Sequence, residues 1–525
     1  MKIITIKALA VLICFGLLTS CADLEVENLN DPDLDRVLET PEDYQGLIAG
    51  GFNRWWRGSH ANRLPFAHFD AWADNMTTTN EYQLYYSMGT VEPRRRIDND
   101  QSSDGFGSMS IPWSNLNSAI SNANDVINYV EVQGNELIMD GEDKTVKMLS
   151  MAYLLRGLSR GYLANFFDQA LILDATDVDE GLDEIPLQPY PEVLEAALDD
   201  IDQAIELAES TSFMTFDFLS DVSMDSQELV QFANAQAAKF IISNGRSSDE
   251  YTEDIWQQVV DYASDAFQED LVIQGTGSPA DGWRHEYQRQ SGLDWYWKSD
   301  MRIINLMDPD YPARYPVSAA EDAVAIPEAE SEDARLEKDF TYDPFNLHRF
   351  VTGRGPQLQS VYYYTRYEDL YLDEGYGDIY VFRKENIDMM LAEAYVHLNR
   401  TSDAIDLINS GSRVNRGGLD PVPDNASDEE VLEAIYYEVE IDLQRTWVGY
   451  QYFLNRRRDM LQAGTPLHVP VPSTELDILG EPVYTFGGES FVDEEGTADG
   501  ANAWNDFWEP GYYEEWYQQA MEDED

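Results

Sequence analysis

Met148, Met151, Leu155, Leu158 and Tyr162 follow one another at spacings of 3, 4, 3 and 4. That interval places all five on one face of an α-helix through roughly 145–167. Pro191 suits a first helical turn, and Leu194, Leu198, Ile201, Ile205 and Ala208 continue it as a second amphipathic helix. The same period predicts further helices near 115–131, 228–244, 254–268, 384–399, 402–413 and 429–446. Tyr44, Leu47, Ile48, Phe52 and the pair Trp55-Trp56 also fall at helical spacing and read as packing residues. The fold class expected is mainly α.

Leu391-Ala392-Glu393-Ala394-Tyr395 through Leu398 to Ala404 and Ile405 looks like a tetratricopeptide helix hairpin, with Asn399-Arg400-Thr401-Ser402 as its turn. No clean repeat of about 34 residues runs along the chain, so a few helix pairs packed as a scaffold are expected, not a regular solenoid. Between the helices, stretches near 57–112, 270–380 and 465–510 have no clear period and are rich in Gly, Pro, Asp and aromatic residues. Loops this long are functional or disordered. Their aromatic content favours order: Trp72, Tyr82, Tyr85 and Tyr86 in the first, Trp283, Trp295, Tyr296, Trp297 and Tyr362 to Tyr364 in the second, Trp504 and Trp508 in the third.

At the N-terminus Lys2 and Lys7 lead an apolar run from Ala8 to Leu18 that ends at Leu18-Thr19-Ser20-Cys21. The run is about half the ~20 apolar residues that span a bilayer, so it reads as a secretion signal over 1–20. The small residue before Cys21 makes a lipoprotein cleavage box, with Cys21 as the lipidated first residue of the mature chain and acyl groups as its membrane anchor. An ordinary signal with an incidental cysteine is the alternative. Asp23, Glu25 and Glu27 follow at once, and this acidity resembles the surface-export signal of Bacteroidota lipoproteins. Cys14 would leave with the signal, so no thiol pair remains to staple the fold.

The formal charge is −65, and losing Lys2 and Lys7 takes it to −67, spread over the whole length. Such a chain repels phosphate backbones, which excludes nucleic acid as a partner. Only six lysines remain: Lys144, Lys147, Lys239, Lys298, Lys338 and Lys384. So many carboxylates are tolerable where salt shortens the screening length to about 3 Å at 1 M, which suggests a saline habitat. A hydrophobic fraction of 43% and an aromatic fraction of 12% argue for a packed core against a disordered acidic chain.

The loops carry candidate binding chemistry. A sugar ring stacks its C–H face on indole or phenol while Asp, Asn, Gln and Arg bond its hydroxyls. Trp283, Trp295, Tyr296 and Trp297, beside Arg284, Gln288, Gln290 and Asp294, supply that set in one loop; Tyr82, Tyr85 and Tyr86 with Asn80 and Gln83 supply another. The competing reading makes the same rings core anchors for long loops. The tail from Trp504 through Phe507, Trp508, Tyr512, Tyr513, Trp516 and Tyr517 is expected to dock on the protein's own body, with a partner protein's surface as the alternative, since so large an exposed aromatic surface is adhesive. Arg94 to Arg96 and Arg456 to Arg458 are expected in internal salt bridges.

Catalysis finds little support. A glycosidase needs two carboxylates at a set separation, which an acidic excess does not specify. His60 and His68 have no matching third ligand for zinc. There is no G-x-S-x-G elbow, no phosphate-binding glycine loop and no twelve-residue calcium loop, so no cofactor is expected.

In order along the chain, the motifs resemble the SusD/RagB family of outer-membrane nutrient-binding lipoproteins over nearly the whole mature length. Trp113 through Asn122, Asn124, Val126 and Ile127 is similar to its early helix with paired asparagines. Ala152-Tyr153-Leu154-Leu155-Arg156-Gly157 through Tyr162 to Phe166-Phe167-Asp168 resembles its helix entering an aromatic turn, with Phe167-Asp168 in place of Gly-Asp. Ile185-Pro186-Leu187 resembles its proline-containing turn, followed by the helix with Leu198, Ile201 and Ala204, and Met301-Arg302-Ile303 through Asp308-Pro309 and Tyr311-Pro312, and Asp333-Ala334-Arg335-Leu336, resemble its linkers. Glu385 through Ala394 looks like its late repeat helix, and His468-Val469-Pro470-Val471-Pro472 its closing Pro-x-Pro segment. Arg445-Thr446-Trp447-Val448-Gly449-Tyr450 stands where Glu-Gly-x-Arg is common, which marks a divergent branch.

The resemblance implies one unit over 21–525: a tetratricopeptide-like scaffold near 113–268 and 384–446, ligand-face loops near 57–112 and 270–380, and an acidic aromatic tail over 477–525. It implies no enzyme but a receptor that binds an oligosaccharide at the outer membrane and delivers it to a TonB-dependent, SusC-like transporter. An oligopeptide receptor is the alternative in the same class; a secreted carbohydrate-active enzyme and a structural lipoprotein are those in others.

Overall fold

The helices lie where the apolar period places them, and their ends are fixed by capping. In the computed structural model, described over residues 40–61, 66–78, 94–177, 185–277, 282–293, 297–314, 326–344 and 359–504, ten helices reach eight residues or more. They are α1 (Pro41–Ser59), α2 (Gly107–Ile127), α3 (Thr145–Phe166), α4 (Tyr190–Ser210), α5 (Ser226–Ile242), α6 (Glu253–Ser264), α7 (Lys384–His397), α8 (Thr401–Ser410), α9 (Asp428–Ile441) and α10 (Tyr450–Arg457). The helices from α2 onward lie in one compact unit that begins at Gln45. Cys21 and the signal lie outside the described residues. No described helix is long and apolar enough to cross a membrane.

Asp225 and Ser427 open α5 and α9 with reciprocal capping boxes to Glu228 and Glu430, and Thr252 caps α6. Pro191 sits in the first turn of α4. The turn between α7 and α8 is made by Asn399 at φ 60, a left-handed conformation asparagine tolerates.

Three expectations need correcting. α3 is buried almost all round, not on one face, because α2, α4 and α5 surround it. Gly157 and Gly161 permit that crowding. A Cβ on Gly157 would lie 2.8 Å from Ile201, and one on Gly161 would enter the Phe240 ring. α2 begins at Gly107, eight residues early, carrying Pro112 within it where a proline would be expected to bar a helix. α9 stops at Ile441 instead of 446, and the chain then turns through Arg445 (φ 61) and Gly449 (φ 79).

Among the described residues five short antiparallel pairs link the elements: β2 (Ile138–Met139) with β3 (Glu142–Asp143) and β4 (Gln169–Leu171) with β5 (Leu187–Pro189) between scaffold helices, and β1 (Met76–Thr77) with β7 (Lys298–Ser299), β8 (Phe340–Tyr342) with β9 (Tyr362–Tyr364), and β6 (Leu271–Thr276) with β10 (Tyr376–Phe382) in the irregular stretches. The last pair joins the two ends of the 270–380 stretch and leads directly into α7. Ile48, Phe52, Trp55, Trp56, Trp72, Tyr162 and Trp447 are all buried in the core.

Candidate functional site

The irregular half is held to the scaffold by buried ion pairs. Glu438, Glu440 and Asp442, at and just past the end of α9, are each at most 2% exposed. Anions there oppose the helix dipole and lose their hydration, so each requires a cation. Arg302 meets both Glu440 oxygens at 3.1 and 2.9 Å. Arg335 bridges Glu438 at 2.5 Å and Asp333 at 2.7 Å. Asp442 is met by Arg366, Arg383 and Arg416. Burial works against the Asp442 charge, but the guanidiniums of Arg366, Arg383, Arg416 and Arg335 overcome it and hold the carboxyl well below the usual range. At Glu438 burial prevails and raises the carboxyl, with Arg335 opposing.

Arg335 opens the helical turn Arg335–Asp339, so the clamp on α9 also positions β8, into which that turn leads. Leu336 and Glu337 of that turn, Phe340, Thr341 and Tyr342 of β8, and Tyr362 of β9 line an open cleft of about 700 Å³, closed on its other side by Glu328, Ala329, Glu330 and Ser331. The Tyr342 and Tyr362 rings lie 5.3 Å apart, and Tyr311 backs Tyr362 at 6.2 Å. The hydroxyls fix the strap: Tyr342 donates to the Ile326 carbonyl at 2.8 Å, and Tyr362 accepts from the Ala329 N–H at 2.7 Å. Glu328, Glu330 and Glu337 stand at the rim, and none of the described lining residues is basic. Tyr342 is the part-exposed ring of the cleft, while Phe340 and Tyr362, 4% and 2% exposed, pack behind it; one ring edged by carboxylates suits a neutral polyhydroxyl ligand and repels an anion. Tyr342 and the glutamates were not singled out from sequence. The sequence offered only the aromatic–polar–aromatic run Phe340-Thr341-Tyr342; its pairing with Tyr362-Tyr363-Tyr364 is set by the fold.

The structure divides the residues proposed from sequence. Trp297 is corrected: it is 2% exposed, and its indole donates to Gln290 at 3.0 Å, so it is a core anchor. Gln288 is equally committed, bonding both the carbonyl and N–H of Tyr380, and Arg284 pairs with Glu286 at 2.6 Å. Trp283 is half-buried, 5.3 Å from Trp56. Trp295, Tyr296, Asp294, Asn80, Tyr82, Gln83, Tyr85 and Tyr86 lie outside the described residues. Trp504 is self-docked, its indole donating to Asp74 at 2.9 Å, while the tail beyond it lies outside the described residues.

Arg94 pairs with Asp74, Arg96 with Glu494 and Arg457 with Glu393. Arg456 departs from expectation, because its guanidinium donates to backbone carbonyls of Gly245, Ser243, Asn165 and Leu467. His60 stacks on Trp56 at 4.2 Å. Burial, then His285 and Lys239, lower its pKa well below the usual value. Among the described residues no group of three His, Cys, Asp or Glu is placed to hold a metal ion. Asp168 is pushed up to about 7 by burial, with the Tyr484 hydroxyl, 2.8 and 2.9 Å from its oxygens, opposing.

No family model and no curated protein matches the sequence. Solved structures match throughout. A SusD superfamily protein from Parabacteroides distasonis superposes with a TM-score of 0.59 at 13% identity, covering 84% of this chain and 97% of that one. A SusD homolog from Bacteroides thetaiotaomicron gives 0.56 at 11%, covering 86% and 97%. A SusD-like carbohydrate binding protein from Bacteroides vulgatus gives 0.54 at 15%, covering 81% and 86%. The chain has the SusD-like fold, mainly α, at an identity that marks wide divergence.

Proposed function

We propose that the protein is a divergent SusD-type receptor that binds an oligosaccharide, without catalysis, and passes it to a TonB-dependent outer-membrane transporter. The observation that carries this reading is the carboxylate-rimmed cleft at Tyr342 in a chain of SusD-like fold. Cys21 would carry the lipid that anchors the mature chain, 21–525, to the outer membrane with the cleft facing outward. Its acidic surface fits work in a saline medium.

The three rim glutamates also favour a second reading, a cationic oligopeptide as ligand. Calorimetry of the full-length protein in detergent and molar salt, against laminari-, xylo- and malto-oligosaccharides and lysine-rich peptides, separates them. Saturable binding of an intact sugar, weakened in Tyr342→Ala, is the expected result. Binding of peptides alone would install the second reading, and hydrolysis of a bound sugar would overturn the non-catalytic one.

A further inference from the structure

The β6–β10 ribbon displays side chains that neither the core nor the cleft uses. Its register sets Ile273 opposite Ile379, Gln274 opposite Asp378 and Thr276 opposite Tyr376. Strand alternation sends the two isoleucines into the core, at 1% exposure or less, and turns Gln274, Thr276, Tyr376 and Asp378 to solvent on the other face. Gln274 donates to Asp378 across the strands at 2.6 Å. Tyr376 is 59% exposed.

The tip is built to hold that ring. Gly375 and Gly377 flank Tyr376 at φ +98 and +121, and Gly277 across from them is at +73, conformations that favour glycine. A Cβ on Gly277 would fall 2.5 Å from the tyrosine ring, and one on Gly275 would strike the Gly375 carbonyl. With four side chains omitted, the strand ends close together and the ring rests on backbone. Trp283 pins the tip further, its N–H bonding the Thr276 hydroxyl and its carbonyl the Thr276 N–H, both at 2.8 Å. A large ring kept at the surface by so constrained a turn, beside an amide–carboxylate pair, matches a pyranose: a C–H face to stack and hydroxyls to bond.

We infer that the solvent face of this ribbon is a second carbohydrate-binding surface, with Tyr376 as the stacking ring and Asp378 and Gln274 as its hydrogen-bonding pair. It rests on the glycan reading above but on residues outside the cleft. The test titrates laminarihexaose, xylohexaose and maltohexaose into the full-length protein and its Tyr376→Ala, Tyr376→Trp and Tyr342→Ala forms, with melting temperatures alongside. Tyr376→Ala should weaken binding of a hexaose by about tenfold or more at an unchanged melting temperature, and Tyr376→Trp should keep or tighten it. Wild-type affinity in Tyr376→Ala, with Tyr342→Ala impaired, would remove the ribbon and leave the cleft. No hexaose bound by any form would overturn both assignments. Lost binding with a lowered melting temperature that Tyr376→Trp does not restore would make Tyr376 structural.

Discussion

The two ends of α9 carry the same residue type under opposite conditions. Asp428, Glu429 and Glu430 at its start are exposed, lie at the positive end of the helix dipole and include a reciprocal cap. Glu438, Glu440 and Asp442 at the other end are buried, face the negative end and survive only because Arg302, Arg335, Arg366, Arg383 and Arg416 surround them. One end keeps an acidic protein hydrated, and the other clamps the irregular half to the scaffold. A carboxylate's role here is set by where its neighbours' cations come from, not by its own identity.

The contrast should break first at Arg335. Arg335→Ala takes the buried guanidinium from Glu438 and Asp333, leaving them only Arg413 at 3.9 Å and the Tyr437 hydroxyl at 2.8 Å, and should cost about 3–5 kcal/mol in chemical denaturation, disturbing the cleft with it. Asp442→Asn should follow with a smaller loss at neutral pH. Because the folded-state pKa of Asp442 is depressed, its stabilisation is present above the unfolded value near 3.8 and vanishes as pH falls through the folded one. The gap between wild type and variant should therefore close in strong acid.

Asp168 sharpens the comparison with the opposite sign. Its folded pKa is raised to about 7, so the wild type gains stability relative to Asp168→Asn as pH falls from about 8 toward 4, where the unfolded group also protonates. Urea midpoints of both forms across that window check the slope. The smallest effect belongs to the exposed half of α9: Glu433, 3.2 Å from Arg458 and 67% exposed, should change stability by less than about 0.5 kcal/mol when replaced by alanine. Raising salt from about 0.1 to 1 M should remove even that difference.

Helix positions were largely legible, because a period such as that of Met148, Met151, Leu155, Leu158 and Tyr162 is a local property that tertiary packing rarely overrides. The burial of α3 on every side was not, since it depends on Gly157 and Gly161 meeting α4 and α5. Nor was the cleft. Trp297 and Tyr342 are both aromatic residues in aperiodic sequence, yet one is 2% exposed against Gln290 and the other lines a wall of the cleft.

The sequence by itself determined the helical scaffold, the order of motifs that resembles the SusD/RagB family, and an acidity incompatible with nucleic acid. Tertiary structure alone decided which carboxylates are hydrated and which are clamped, and which rings are buried and which reach the cleft. The physical reason is range: helical period and capping act within a few residues, whereas Arg335 and Glu438, or Tyr376 and Gly277, meet only when segments about a hundred residues apart are folded onto one another.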